Sequence, residues 1–124
     1  MINPIMDIAA TSDTPMVQFS PEGMLTIQGR SLPENAFEFY DPVLSAMRAF
    51  MQHEAAGIQL NIQLDYFNSS SGRYLFEMFH LLEGSKSPAL HAVNWYVDKD
   101  DELMMERGAE MQSLVQVKFK IYIR

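Results

Sequence analysis

The sequence predicts an α/β protein: a singly wound, mostly parallel sheet with its helices mainly on one face, in the order β-β-α-β-α-β-α-β. Three observations carry this reading. The segment Ile58-Gln59-Leu60-Asn61-Ile62-Gln63-Leu64-Asp65-Tyr66 alternates apolar and polar residues without a break, the period of a strand wetted on one side. Val115-Gln116-Val117-Lys118-Phe119-Lys120-Ile121 repeats the pattern near the C-terminus. Helical periods fill the gaps, so the flanking strands should be parallel and joined by right-handed crossovers. A doubly wound sheet hides both faces, and its central strands read as continuous apolar runs. The polar half of the Ile58 strand argues against that. If strand order follows the chain, every crossover lays its helix on the same face, leaving Gln59, Asn61, Gln63, Lys118 and Lys120 on the open one.

The elements follow in order. Met16 to Phe19 and Met24 to Gln28 are short strand candidates, and the brief Glu22-Gly23 link between them favours a hairpin. Ser31-Leu32-Pro33-Glu34 reads as a capping box with proline in the first turn. Asp41-Pro42 then restarts the pattern, with Leu44, Met47, Phe50 and Met51 on one face. After the Ile58 strand, a second helix is expected from about Ser70 to Glu83. Its buried stripe is Leu75, Met78, Phe79 and Leu82, and Gly84 is its terminator. His91 to Val97 forms the next strand, with Trp95 in the core beside Val93 and Val97. A third helix begins near Asp100-Asp101-Glu102, acids that suit a helix N-terminal dipole, and ends before Leu114. Met104, Met105 and Met111 on it are assigned to the core, with an adaptable partner surface as the alternative.

Composition limits the chemistry. The chain has 124 residues, 48% hydrophobic, with no cysteine, and 9 basic against 16 acidic side chains give 9 − 16 = −7. That length closes one core without staples, and the missing cysteine removes disulfides, thiolate metal sites and a thiol nucleophile. An acidic chain with few Lys and Arg is a poor binder of nucleic acid. Met1 to Ala10 lacks the basic start and apolar run of a signal peptide, and no segment has the length of a membrane span. A cytoplasmic protein is expected.

Three loops should meet at the carboxyl ends of the parallel strands, where α/β sheets usually place their sites. They are Gly29-Arg30-Ser31, Tyr66-Phe67-Asn68-Ser69-Ser70-Ser71-Gly72-Arg73 and Asp98-Lys99-Asp100-Asp101-Glu102. Asn68 or a serine serves as a helix cap in the commoner reading of the second loop. In the other, its hydroxyls accept a phosphoryl group of about −1.5 to −2 charge at a helix N-terminus. The acidic run lacks the glycine and terminal glutamate of a calcium loop, so capping is preferred there too. Gly84-Ser85-Lys86-Ser87 lacks the upstream glycine of a phosphate loop and reads as a connector. A serine nucleophile needs a base and an oxyanion hole. His53 closes a helix, His80 lies mid-helix and His91 opens a strand, so none obviously serves Ser69.

Gly29-Arg30-Ser31-Leu32-Pro33-Glu34-Asn35-Ala36, Phe39-Tyr40-Asp41-Pro42, Tyr66-Phe67-Asn68-Ser69-Ser70-Ser71 and Trp95-Tyr96 with Asp100-Asp101 occur in that order. Together they resemble the SiaC family of bacterial regulatory phosphoproteins, from about Thr14 to the C-terminus. Residues 1–13 then read as an N-terminal extension and 14–124 as the regulatory domain. The resemblance implies a fold similar to anti-sigma-factor antagonists of the STAS type, and a non-enzymatic partner switch without a cofactor. It implies Ser69, following Tyr-Phe-Asn, as the phosphoacceptor, with Ser70 and Ser71 as alternatives. Serine stands where threonine is usual, and Gly72-Arg73 where serine-lysine is commoner. It also implies a serine/threonine kinase, a PP2C-type phosphatase and a diguanylate cyclase bound and activated by the unphosphorylated form, hence cyclic-di-GMP signalling and biofilm control. Arg30, Tyr66, Phe67, Asn68, Ser70, Asp100 and Asp101 are the expected partner-binding rim, and Arg30 is a candidate counter-ion for the phosphate. A small-molecule or nucleotide-binding domain of the same fold is the competing reading.

Overall fold

A computed structural model of the chain describes residues 3–53 and 56–124. Six strands lie in chain order, β1 (Met6–Ile8), β2 (Met16–Phe19), β3 (Met24–Ser31), β4 (Gln59–Phe67), β5 (Ala92–Val97) and β6 (Lys118–Ile123). The first three are antiparallel; β3 to β6 are parallel. Helices α1 (Ala36–His53), α2 (Ser69–Glu83) and α3 (Glu102–Leu114) are the three crossovers. With strand order equal to chain order, right-handed crossovers put all three on one face, as the alternation required. No described helix is long and apolar enough to cross a membrane.

β1 is a difference from expectation. It falls in the stretch read as an extension outside the domain, yet it pairs with β2 in the register Met6 to Phe19 and Ile8 to Val17. Three residues are too few to show a period, which is why the sequence does not announce it. Met1 and Ile2 lie outside the described residues.

The start of α1 also departs from the predicted capping box. Ser31 is the last residue of β3 and is fully buried. The side chain that caps α1 is Asn35, whose Oδ1 accepts from the Glu38 N–H (3.1 Å). Asp41-Pro42 does not restart anything, for α1 is one helix of 18 residues with Pro42 inside it. Proline there removes one backbone donor, and burial of Tyr40, Val43, Leu44, Met47 and Phe50 against the sheet outweighs that loss.

α2 and its stripe agree with the periodicity: Leu75, Met78, Phe79 and Leu82 are all buried. Gly84 ends the helix with φ −83°, so it terminates α2 without the left-handed turn that favours glycine. β6 begins at Lys118, three residues later than its alternation suggests. The N–H groups of Gln116 and Val117 donate instead to Glu83 Oε2 at the end of α2, which holds this loop off the ladder.

α3 sits low on the sheet because of Gly108. A Cβ built there would lie 2.6 Å from the Trp95 ring. Trp95 Nε1 donates to the Met104 carbonyl (3.1 Å), and its ring meets Phe67 edge-on and Phe119 nearly parallel. Met104 and Met111 are buried and Met105 partly so, as core residues.

The open face carries Gln59, Asn61 and Gln63, as the alternation predicted. Asn94 Nδ2 donates to Asn61 Oδ1 (2.9 Å) and Gln59 Oε1 (3.3 Å), and this polar ladder leaves Asn61 only 7% exposed. Lys118 and Lys120 are exposed on the same face.

His91, at the amino end of β5, is buried, and its Nδ1 accepts from the Ile58 N–H (2.9 Å). Burial lowers its pKa from the ordinary 6.5, and the neutral ring is the form that accepts. Below about pH 6.5 the unfolded chain therefore binds a proton that the folded chain resists. Stability should fall as pH drops through 6.5 and level off below the folded pKa, with a slope of at most about 1.4 kcal/mol per pH unit. Thermal melts of His91→Asn, which keeps an acceptor but cannot protonate, should lose that component of the slope.

Candidate functional site

The carboxyl ends of β3, β4 and β5 form the rim of the sheet, and the three expected loops follow them. Asn68 is extended and caps α2, its Oδ1 accepting from the Ser71 N–H (2.9 Å). Ser69, Ser70 and Ser71 are consequently the first three helical residues. Their environments differ sharply. Ser69 and Ser70 are exposed, whereas Ser71 has no solvent exposure.

Ser71 belongs to a buried hydroxyl network. Ser31 Oγ donates to Ser71 Oγ (2.8 Å), and Ser71 Oγ donates to the Ser31 carbonyl (3.0 Å). Each serine has one hydroxyl proton, so both are committed. Tyr40 Oη, 2.5 Å from Ser31 Oγ, must supply the proton of that contact. Burial pushes the Tyr40 phenol above its ordinary 10, against the hydroxyls of Ser31 and Ser71 that favour its ionised form. A neutral phenol is what a donor requires. The Tyr40 ring stacks on Tyr74 of α2 (5.7 Å). The network thus pins the first turn of α2 to the end of β3 and to α1. Ser71 is removed from the candidate acceptors in this conformation, because its hydroxyl is both spent and sealed.

The sequence places Ser31 in a rim loop as a helix cap and Tyr40 in a family motif, and marks neither as a partner of Ser71. A signal existed: stepping back four residues along the stripe Leu75, Met78, Leu82 reaches Ser71, so the helical period itself points that serine inward.

A bulge shapes the other side of the rim. Gly29 pairs with Leu64 and Arg30 with Tyr66, leaving Asp65 as an extra residue. Gly29 has φ +122°, a conformation L side chains rarely adopt. Beyond the bulge, Ser31 and Phe67 both face the helices and are buried, while Arg30 and Tyr66 are exposed as cross-strand neighbours on the open face. Phe67, expected on the rim surface, is therefore a core residue packed on Trp95. Arg30 lies on the sheet's open face, while Ser69 begins a helix on the covered one.

Asp101 caps α3 through Oδ1 and the Met104 N–H (3.1 Å), and Asp100 is exposed in the turn before it. Asp98 pairs with Arg124 (3.1 Å). Among the described residues no group of His, Asp and Glu is arranged to hold a metal ion. His80, eleven positions along α2, is about 16 Å from Ser69 at 1.5 Å per residue. His91 and the end of α1 at His53 lie towards the opposite end of the strands. The described histidine side chains therefore offer Ser69 no base.

Two further features surround Ser69. The first turns of α1 and α3 and the end of β4 bring exposed apolar side chains to the rim: Phe37 (60% exposed), Leu103 (46%) and Tyr66 (38%). Behind Ser69 a shallow trough of about 690 Å³ runs along the outer side of α2 towards α3, lined by Ser69, Gly72, Arg73, Phe76, His80, Met111 and Leu114 among others. Large apolar groups left in water on the rim that carries an exposed hydroxyl suit protein contact.

Comparison with known proteins bears on this arrangement. The family described as SiaC family regulatory phosphoprotein matches residues 8–124. An uncharacterised protein of Pseudomonas aeruginosa strain UCBPP-PA14 is 27% identical over 118 residues, 94% of each chain. The structure of SiaC of Pseudomonas aeruginosa superposes with a TM-score of 0.88 at 25% identity, covering 99% of this chain and 100% of that one. A structure of the Pseudomonas aeruginosa diguanylate cyclase SiaD in complex with its activator SiaC matches with a TM-score of 0.90 at 26% identity, covering 96% and 99%.

Proposed function

Because the chain belongs to the SiaC family of regulatory phosphoproteins, we propose that it is a non-enzymatic, cytoplasmic partner switch controlled at Ser69. Its unmodified form binds and activates a diguanylate cyclase, and phosphorylation ends that binding. The observation that carries the reading is the exposure of Ser69 at the start of α2, on a rim that also exposes Phe37, Tyr66 and Leu103. The partner covers those apolar groups. A cognate serine/threonine kinase passes the γ-phosphoryl of ATP to Ser69 Oγ, with ADP leaving and the hydroxyl proton taken by the kinase. A PP2C-type phosphatase hydrolyses the ester, restoring the hydroxyl and releasing inorganic phosphate.

The switch is electrostatic. A phosphoryl group places about −1.5 to −2 charges where the interface accommodates a neutral hydroxyl. Asp65 and Asp100 lie on the same rim, and covering an unpaired dianion costs more than covering an alcohol. A hundredfold loss of affinity corresponds to about 2.8 kcal/mol, a modest demand on such a change.

The test uses the full chain, the organism's own cyclase and kinase, and ATP. Peptide mass spectrometry should place phosphate on Ser69. The phosphorylated chain should bind the cyclase at least about 100-fold more weakly than the unmodified one. Ser69→Ala should bind like the parent and resist the kinase. Equal affinity of the modified and unmodified chains would overturn the switch, and modification confined to another residue would overturn the site.

A further inference from the structure

We infer that Arg73 is the intramolecular receptor of a phosphoryl group on Ser69, so that the modified chain carries its own counter-ion. The inference rests on the reading of Ser69 as the acceptor and names what meets the phosphate. Ser69 and Arg73 are both exposed, lie one turn apart on α2, and line the same trough. Residues four apart on a helix are neighbours, and an anion placed N-terminal to its cation is the favourable order.

Arg73 is available for this role. Glu77 and Glu110 also line the trough, yet the ion pair found among the described residues is Arg124 with Asp98. Neither glutamate holds the Arg73 guanidinium within 4 Å. A phosphoryl group offers three strong acceptor oxygens, which the planar guanidinium meets in bidentate fashion. Arg30, the counter-ion the sequence suggested, faces the open side of the sheet by the alternation of β3, in which Leu25, Ile27 and Ser31 point to the helices, whereas Ser69 and Arg73 share one helix on the covered side.

The consequence concerns the trough. In the unmodified chain its rim end presents a hydroxyl and an unpaired cation beside Phe76 and Met111. Once Ser69 is phosphorylated, the two groups close on one another, withdrawing Arg73 from the trough, whose other lining arginine is Arg48 of α1, and leaving a hydrated ion pair across its end. Phosphorylation thus alters the surface by subtraction as well as by added charge.

The experiment installs phosphoserine at position 69 of the full chain by genetic encoding and follows its second ionisation by phosphorus NMR. That pKa should lie below the ordinary value of about 6. Arg73→Gln should raise it by about 0.2–0.4 unit, the size of an exposed helical ion pair. Arg73→Lys should fall between, and Arg30→Gln should leave it in place. No movement in Arg73→Gln, or movement in Arg30→Gln, overturns the assignment. Neither kinase nor cyclase is present, so a negative result here refutes the Arg73 pair alone. The switch itself stands or falls on cyclase binding.

Discussion

Ser71→Asp will be severely destabilised, by about 4 kcal/mol or more, while Ser69→Asp and Ser70→Asp will unfold in urea at or slightly above the parent midpoint. All three positions lie in the first turn of α2, where a carboxylate normally complements the helix dipole by about 0.3–1 kcal/mol. Local helix physics therefore treats them alike. Burial separates them. At Ser71 a carboxylate enters a site with no solvent exposure, facing the Ser31 carbonyl and hydroxyl. It cannot donate to that carbonyl, and no cation is paired with it there: the groups facing it are the hydroxyls of Ser31 and Tyr40. Ser71→Ala loses the same donor without adding charge and should cost about 1–3 kcal/mol. Equal midpoints for the three aspartate variants would mean that the hydroxyl network does not form, and would return Ser71 to the candidate acceptors.

Gly108→Ala is expected to cost about 1–3 kcal/mol, although alanine is the better helix former by about 1 kcal/mol. The added methyl would stand 2.6 Å from the Trp95 ring, which is itself held by Phe67, Phe119 and the hydrogen bond to Met104. Either α3 lifts from β5 or the indole turns and loses its acceptor. Trp95→Leu opens space at that point, so the double variant should be less destabilised than the sum of the two single changes. Strict additivity in urea melts would show that Gly108 and Trp95 are not in contact.

Much of the architecture was legible because it follows from local period and connectivity. The alternation at Ile58–Tyr66 marks a strand with one wet face, and the helical intervals around it demand crossovers on a single side. Asp101 and Asn68 were readable as caps because the donors they satisfy lie three residues away. The misreadings arose where a local pattern met a stronger distant partner. Ser31 has the sequence context of a helix cap, but its hydroxyl is claimed by Tyr40 and Ser71. Gln116 and Val117 continue a strand pattern, but Glu83 takes their N–H groups. β1 is too short to register at all.

The candidate site divides in the same way. By itself the sequence determined a one-sided α/β sheet, a hydroxyl cluster at the carboxyl edge, and a chain without thiol chemistry. These depend on composition and on spacings of a few residues. Only the tertiary structure decided which hydroxyls face water, that Phe67 belongs to the core, and that Arg30 and Ser69 lie on opposite sides of the sheet. The first follows from a contact spanning 40 residues between Ser31 and Ser71, and the second from one extra residue in β4 that turns Phe67 to the helix face. Neither a long-range hydroxyl contact nor a register shift leaves a local period in the chain.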